Sequence, residues 1–163
     1  GPGRIAPGGR QRNPAGPLYQ SFQQFLEARP RGKPFCFWFG SFRPHRHYQW
    51  QSGVQAGLKP EQVSVPPWLP DAPDVRTDLC DYYWNVEQFD REVENLIELL
   101  HRTGEADNTL VVVTSDNGLP CPRCKGNLYD LGTRVPLAIR WPAKLAGNRR
   151  VDDLVSGLFQ TGD

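Results

Sequence analysis

Apolar residues along this chain fall into two kinds of pattern, and each predicts a different kind of element. Val86, Phe89, Val93, Leu96, Ile97 and Leu100 recur at steps of three and four, so Asp81–Arg102 is predicted to be a helix with Gly104 closing it. Tyr19, Phe22, Phe25 and Leu26 make a shorter helical stripe that begins at Leu18 and ends before Pro30. Phe35–Phe39 and Leu110–Thr114 are continuous apolar runs, too short for helices, and read as buried strands. The run of Leu110, Val111, Val112 and Val113 lacks alternation, which predicts a strand covered on both faces, as in a parallel sheet. Pro136–Arg140 supplies a further short strand. The order helix, strand, loop, helix, strand predicts an α/β layered domain.

The remaining stretches are irregular. Gly1–Pro17 is rich in Gly, Pro and Arg without periodicity and is expected to be a flexible segment, with the folded part running over 18–163. Gln49–Asp74 reads as a long loop of the kind that often carries function. A net charge of +1 gives no electrostatic case for a nucleic acid or an anionic membrane as partner. No stretch approaches the roughly eighteen apolar residues of a spanning helix, and the N-terminus lacks the apolar core of a signal peptide. Four cysteines do not fix the compartment.

Candidate chemistry gathers where the Leu110–Thr114 strand ends. Ligands of open α/β sheets bind beyond the carboxyl ends of strands, and Ser115, Asp116 and Asn117 stand there before Gly118 turns the chain. Asp116 offers carboxylate oxygens and Asn117 an amide carbonyl, hard donors suited to Ca²⁺ or Mg²⁺. Taken alone, Asp-Asn-Gly is equally ordinary turn chemistry. Lys125, eight residues on from Asn117, could meet an anion as a compact point charge, although a lysine without context reads as a solvated surface residue. His45 follows the Phe35–Phe39 run, and a histidine can give or take a proton near neutral pH. His47 lies two residues away and competes for that role, while His101 reads as a helix-end residue. Cys121-Pro122-Arg123-Cys124 is half of a zinc knuckle or a redox pair, but no second such pair exists.

In order along the chain, Ser115-Asp116-Asn117-Gly118, Pro120, Pro122, Lys125, Asn127-Leu128-Tyr129-Asp130, Gly132, Val135-Pro136-Leu137 and Ile139-Arg140-Trp141-Pro142 make a string that resembles the sulfatase family. Pro34–Phe39 followed by Pro44-His45-Arg46, and Pro66–Asp71 followed by Arg76-Thr77-Asp78, resemble its upstream segments. The resemblance covers about Leu18 to Val155 and is closest to the sulfamidase-like branch. It implies part of an alkaline-phosphatase-like α/β fold, with a mostly parallel sheet flanked by helices.

The resemblance also implies roles. Asp116 and Asn117 become ligands to a divalent cation, usually Ca²⁺ with Mg²⁺ as the other candidate. Lys125 becomes a contact to the substrate's sulfate, and His45 a group near the sulfate and the leaving group. The nucleophile of such enzymes is a formylglycine made from a Cys or Ser in a Cys/Ser-x-Pro-x-Arg motif, which this chain lacks: in Cys121-Pro122-Arg123 the proline follows the cysteine directly. The chain is therefore expected to be an internal fragment of an enzyme hydrolysing sulfate esters or sulfamates of a sugar, inactive alone. Localisation stays unknown. Periplasmic, secreted and lysosomal-type destinations are all open for the parent, since relatives of this type are often exported. Two other readings stay open: a phosphoester or phosphonate hydrolase of the same superfamily, and a non-catalytic carbohydrate-binding module that uses Trp50 and Trp68 to stack on sugar rings.

Overall fold

The computed structural model describes residues 21–153 and 155. The flexible segment expected over 1–17, and the part of the first helical stripe around Tyr19, lie outside the described residues. Among the described residues, four helices and two strands follow in order: α1 (Phe22–Ala28), α2 (Ser52–Gln55), α3 (Pro73–Arg102), β1 (Val111–Thr114), α4 (Asp130–Thr133) and β2 (Leu137–Arg140). Single 3₁₀ turns occupy Pro60–Gln62 and Ala106–Asn108.

Ser21 opens α1, its hydroxyl accepting the Gln24 amide at 3.1 Å, an N-cap that satisfies one of the orphan donors of the first turn. Phe22 and Phe25, three residues apart, then share the inner face and are buried. They join Leu99, Leu100 and Ala106 in the core, with Phe35, Phe37, Leu96 and Val111 packed around them. Ring centroids lie 4.8 Å apart for Phe22–Phe37 and for Phe25–Phe37, and 5.5 Å for Phe25–Phe35. Arg29, beyond the end of α1, stacks its guanidinium over Phe35 at 4.6 Å and pairs with Glu105 just past α3.

Helix α3 begins eight residues before the predicted Asp81. Pro73 occupies its first position, where its fixed φ suits the helix and its missing N–H costs nothing. At the other end Gly104 adopts φ +73°, and the Glu105 amide bonds back to the Leu100 carbonyl at 3.0 Å, closing the helix as the sequence predicts.

Phe35–Phe39 forms no strand among the described residues, contrary to expectation. Its side chains nevertheless alternate, Phe35 and Phe37 inward, Cys36 and Trp38 outward, the period of a strand without a partner to pair with. The predicted loop over Gln49–Asp74 holds short helical turns and is firmly tied down. Arg76 donates to the carbonyls of Pro60 and Val63 at 3.0 and 2.9 Å and clasps Asp71 with two hydrogen bonds.

Strands β1 and β2 pair antiparallel, with Val112 opposite Ile139 and Thr114 opposite Leu137. The mostly parallel sheet that was expected is therefore not what the described residues hold. Nor is β1 covered on both faces. Val111 packs on the core, whereas Leu110 and Val112, with Leu137 and Ile139 beside them on β2, stay about half exposed.

Candidate functional site

The expected site residues all sit on loops braced by α3. Asp78, Asp81, Asn85, Gln88 and Glu92 recur at steps of three and four, giving this helix a polar seam beside its apolar one. Three acids of that seam hold loops. Glu92 accepts the Ser41 hydroxyl at 2.6 Å and pairs with Arg43 at 3.3 Å, which anchors the start of the His45 loop. Asp78 pairs with Arg46 at 2.6 Å and anchors its end. Asp81, 1% exposed, accepts the Gln51 amide at 3.0 Å, the Gly53 amide at 2.8 Å and the Ser52 hydroxyl at 3.3 Å, capping α2 from across the chain. Gly53 is required there, since a Cβ would stand 2.3 Å from the Cys80 carbonyl oxygen.

Held at both ends, the His45 loop exposes its imidazole. The His45 amide donates to the Phe42 carbonyl at 2.7 Å, and ring Nδ1 lies 2.7 Å from the Arg46 carbonyl. A carbonyl only accepts, so Nδ1 carries the proton and Nε2 of the neutral ring is left with its lone pair for a substrate atom. His47 lies 5.9 Å from it, centroid to centroid, on a backbone with φ +120°. Tyr48 bonds the Pro44 carbonyl at 2.9 Å, and burial pushes its hydroxyl well above the ordinary tyrosine pKa, partly countered by Arg46.

The second loop, 115–129, leaves β1 and returns through α4 to β2. The Ser115 hydroxyl bonds the Asn117 carbonyl at 2.9 Å, and Asn117 Nδ2 donates to the Gly118 carbonyl at 2.9 Å, which leaves Asn117 Oδ1 uncommitted. Asp116 is exposed beside it. Two glycines allow the backbone to close on itself: a Cβ at Gly118 would stand 1.7 Å from the Leu131 carbonyl oxygen, and one at Gly132 would stand 2.4 Å from the carbonyls of Cys124 and Asn127. Lys125, its amide donating to Leu119 at 2.9 Å, presents its side chain to solvent.

Arg46 joins the two loops. Besides Asp78, its guanidinium reaches the Pro120 carbonyl at 3.3 Å, so the residue after His45 holds the segment between Asn117 and Lys125. In the sequence Arg46 and Asp78 stand out only as parts of motifs and Asp81 only as a helix start, and the loop-holding roles of Asp78, Asp81 and Glu92 are not read there. Their helical spacing was the available signal.

Cys121 and Cys124 are free thiols in a tight turn, with the Cys124 amide on the Cys121 carbonyl at 3.2 Å and Arg123 between them at φ +64°. Burial pushes both thiols above their usual pKa; Cys124 adds to the rise at Cys121, and Arg46 opposes it. Raised thiol pKa values disfavour the thiolate that soft metals and disulfide exchange require. Among the described residues no three His, Cys, Asp or Glu side chains cluster as a metal site. Asp116 and the free Oδ1 of Asn117 suit a hard cation in kind, but they are two donors where Ca²⁺ takes six to eight.

The family model for sulfatases matches residues 13–161. The chain belongs to the sulfatase family, hydrolases of sulfuric esters and sulfamates that share an alkaline-phosphatase-like α/β fold and generally use a metal and formylglycine. Among its relatives is an ulvan-active sulfatase of Formosa agariphila, 33% identical over 60% of this chain and 16% of that protein. Another is the N-sulphoglucosamine sulphohydrolase of Homo sapiens, 32% identical over 74% of this chain and 28% of the relative. The human N-acetylglucosamine-6-sulfatase is 42% identical over 31% of the chain and 10% of its own length. The matches thus span between 10% and 28% of the length of these proteins.

Proposed function

We propose that this chain forms one wall of the active site of an enzyme that hydrolyses sulfate esters or sulfamates of a sugar. The observation that carries the reading is the Arg46 bridge: it ties the His45 loop to the loop of Asp116, Asn117 and Lys125, so the three expected chemistries belong to one braced unit. Asp116 and Asn117 would hold the cation, Ca²⁺ in preference to Mg²⁺, together with donors from elsewhere in the parent. Such a cation, when bound, neutralises and polarises the sulfuryl oxygens. Lys125 places a further positive charge where an anionic oxygen would lie, and that interaction grows as charge develops in the transition state. His45 is held in one tautomer and offers Nε2 for proton transfer at the leaving oxygen or nitrogen.

The nucleophile would come from a Cys/Ser-x-Pro-x-Arg segment of the parent, and this chain alone is expected to be inactive. In the parent, β1 would join further strands into a mostly parallel sheet that covers its open face. Residues 18–163 would be the part of the catalytic domain that carries this wall. One relative's name specifies an N-sulfated sugar and another a 6-sulfated one, so the nitrogen or oxygen linkage stays open. The sulfatase names also favour sulfate over phosphate. Asp116→Ala in the parent is expected to lower metal content and to reduce sulfatase turnover at least about a hundredfold, the scale of losing one electrostatic stabiliser. Normal metal content and rate would return Asp116 to a turn residue. Preferential turnover of a phosphate ester would favour the phosphohydrolase reading, and sugar binding without turnover the carbohydrate-binding one.

A further inference from the structure

A groove of about 550 Å³ opens beside the joined loops, a volume in the range of about 300–1,000 Å³ typical of small-molecule sites. Trp50, half exposed, faces it together with Pro70 and Pro122; Arg46, Asp74 and Asp78 contribute the charge. His45, Asp116, Asn117 and Lys125 do not line the groove, but both of their loops do, through Arg46 next to His45 and through Pro120, Cys121 and Pro122 between Asn117 and Lys125. Its walls are fixed. The Asp81 carboxylate holds the backbone just after Trp50, and Arg76 clasps Asp71 just after Pro70. Arg46 is neutralised by Asp78, which leaves Asp74 without a counter-charge among the described residues.

We propose that this groove binds the second sugar ring of the substrate, on the leaving-group side, and that it takes a neutral or amino-bearing pyranose and disfavours one carrying a carboxylate or another sulfate. The proposal rests on the sugar-sulfatase reading. A flat indole packs on the C–H face of a pyranose, and carboxylates at the rim accept bonds from ring hydroxyls or an ammonium, as small-ligand sites combine apolar walls with a few placed polar groups. An anionic ring would face Asp74 at close range, and juxtaposed like charges are a strong means of rejection.

The test uses the full-length parent with two sulfated disaccharides that share a sulfated glucosamine and differ in the second ring, glucose or glucuronate, alongside the sulfated monosaccharide. The glucose compound should have the higher kcat/KM, and Trp50→Ala should lower the ratio of its kcat/KM to that of the monosaccharide by about threefold to tenfold, the worth of one aromatic contact. Trp50→Phe should restore part of that ratio, and Asp74→Asn should narrow the gap between glucose and glucuronate. A disaccharide-to-monosaccharide ratio unmoved by Trp50→Ala, or equal handling of the two second rings, would overturn the proposal. If the parent turned over no sulfate at all, calorimetry with the unsulfated disaccharides would still decide: tighter binding of the glucose form, weakened by Trp50→Ala, supports the groove, and no preference overturns it.

Discussion

The half of the chain around α1 and α3 is closed, whereas the half built on β1, α4 and β2 is open. Phe22, Phe25, Leu99 and Leu100 are almost wholly buried in mutual contact, and three acids of α3, Asp78, Asp81 and Glu92, end on loop partners. In the other half Leu128 is 96% exposed, Val112 and Ile139 are half exposed, and Asp116 and Lys125 face solvent. That half keeps its shape through backbone hydrogen bonds and glycine close approaches instead of a core of its own. The contrast teaches that one half serves as a brace and the other as a presented surface, which is the division a catalytic wall needs.

The largest test of this division sets a core residue against a sheet residue. Phe25→Ala should cost about 3–5 kcal/mol of folding stability, measured by urea unfolding, as for large buried aromatics. Val112→Ala in the same chain should cost under about 1 kcal/mol, because half its surface is already in water. Measured in the parent, a Val112→Ala cost of about 2 kcal/mol would show that the open face is covered there and would confine the contrast to the chain alone. A smaller effect is expected at the brace. Asp81→Ala strips the acceptor from two amides, one of them buried, and should cost about 3 kcal/mol. A near-neutral result would mean that α2 holds itself, and the loop that follows Trp50 would not depend on α3.

Much of the closed half was legible because a packed helix writes its period into the sequence. The stripe from Val86 to Leu100 marked α3, and Gly104 marked its end. The first two turns were missed because Pro73 falls in the expected Gln49–Asp74 loop and the clear apolar stripe starts only at Val86, although Val75 and Leu79 keep the helical step. Phe35–Phe39 announced packing on the core, which Phe35 and Phe37 provide, but neither burial of the whole run nor pairing, since Cys36 and Trp38 are exposed and an apolar run does not report whether a strand lies beside it. Ser115–Gly118 was legible as the segment that follows a strand, and it does directly follow β1. The Arg46 bridge was not legible, because Asp78 lies 32 residues from Arg46 and Pro120 lies 74. Contacts at such separations leave no local pattern to read.

A weaker effect concerns the thiols. Burial raises Cys121 and Cys124, so both should stay protonated at pH values where an unhindered thiol begins to ionise. Alkylation by iodoacetamide, followed by peptide mass spectrometry, should therefore label exposed Cys36 first and reach Cys121 and Cys124 only as the pH is raised further. Rapid labelling of Cys121 at pH 7 would show that the turn opens, and the second loop would then be less firmly held than its hydrogen bonds imply.

Lys125 carries the central claim, because a sulfate contact demands charge at a fixed point whereas a surface lysine demands none. In the parent, Lys125→Ala should change folding stability by no more than about 0.5 kcal/mol, as for exposed side chains. It should nevertheless weaken binding of both inorganic sulfate and sulfated substrate. Lys125→Arg should recover part of the loss, since it keeps the charge but moves the donors. Calorimetric titration of sulfate into the three proteins reads this directly: affinity should fall in the order parent, Lys125→Arg, Lys125→Ala, and equal affinity in the parent and Lys125→Ala would place Lys125 outside the sulfate site.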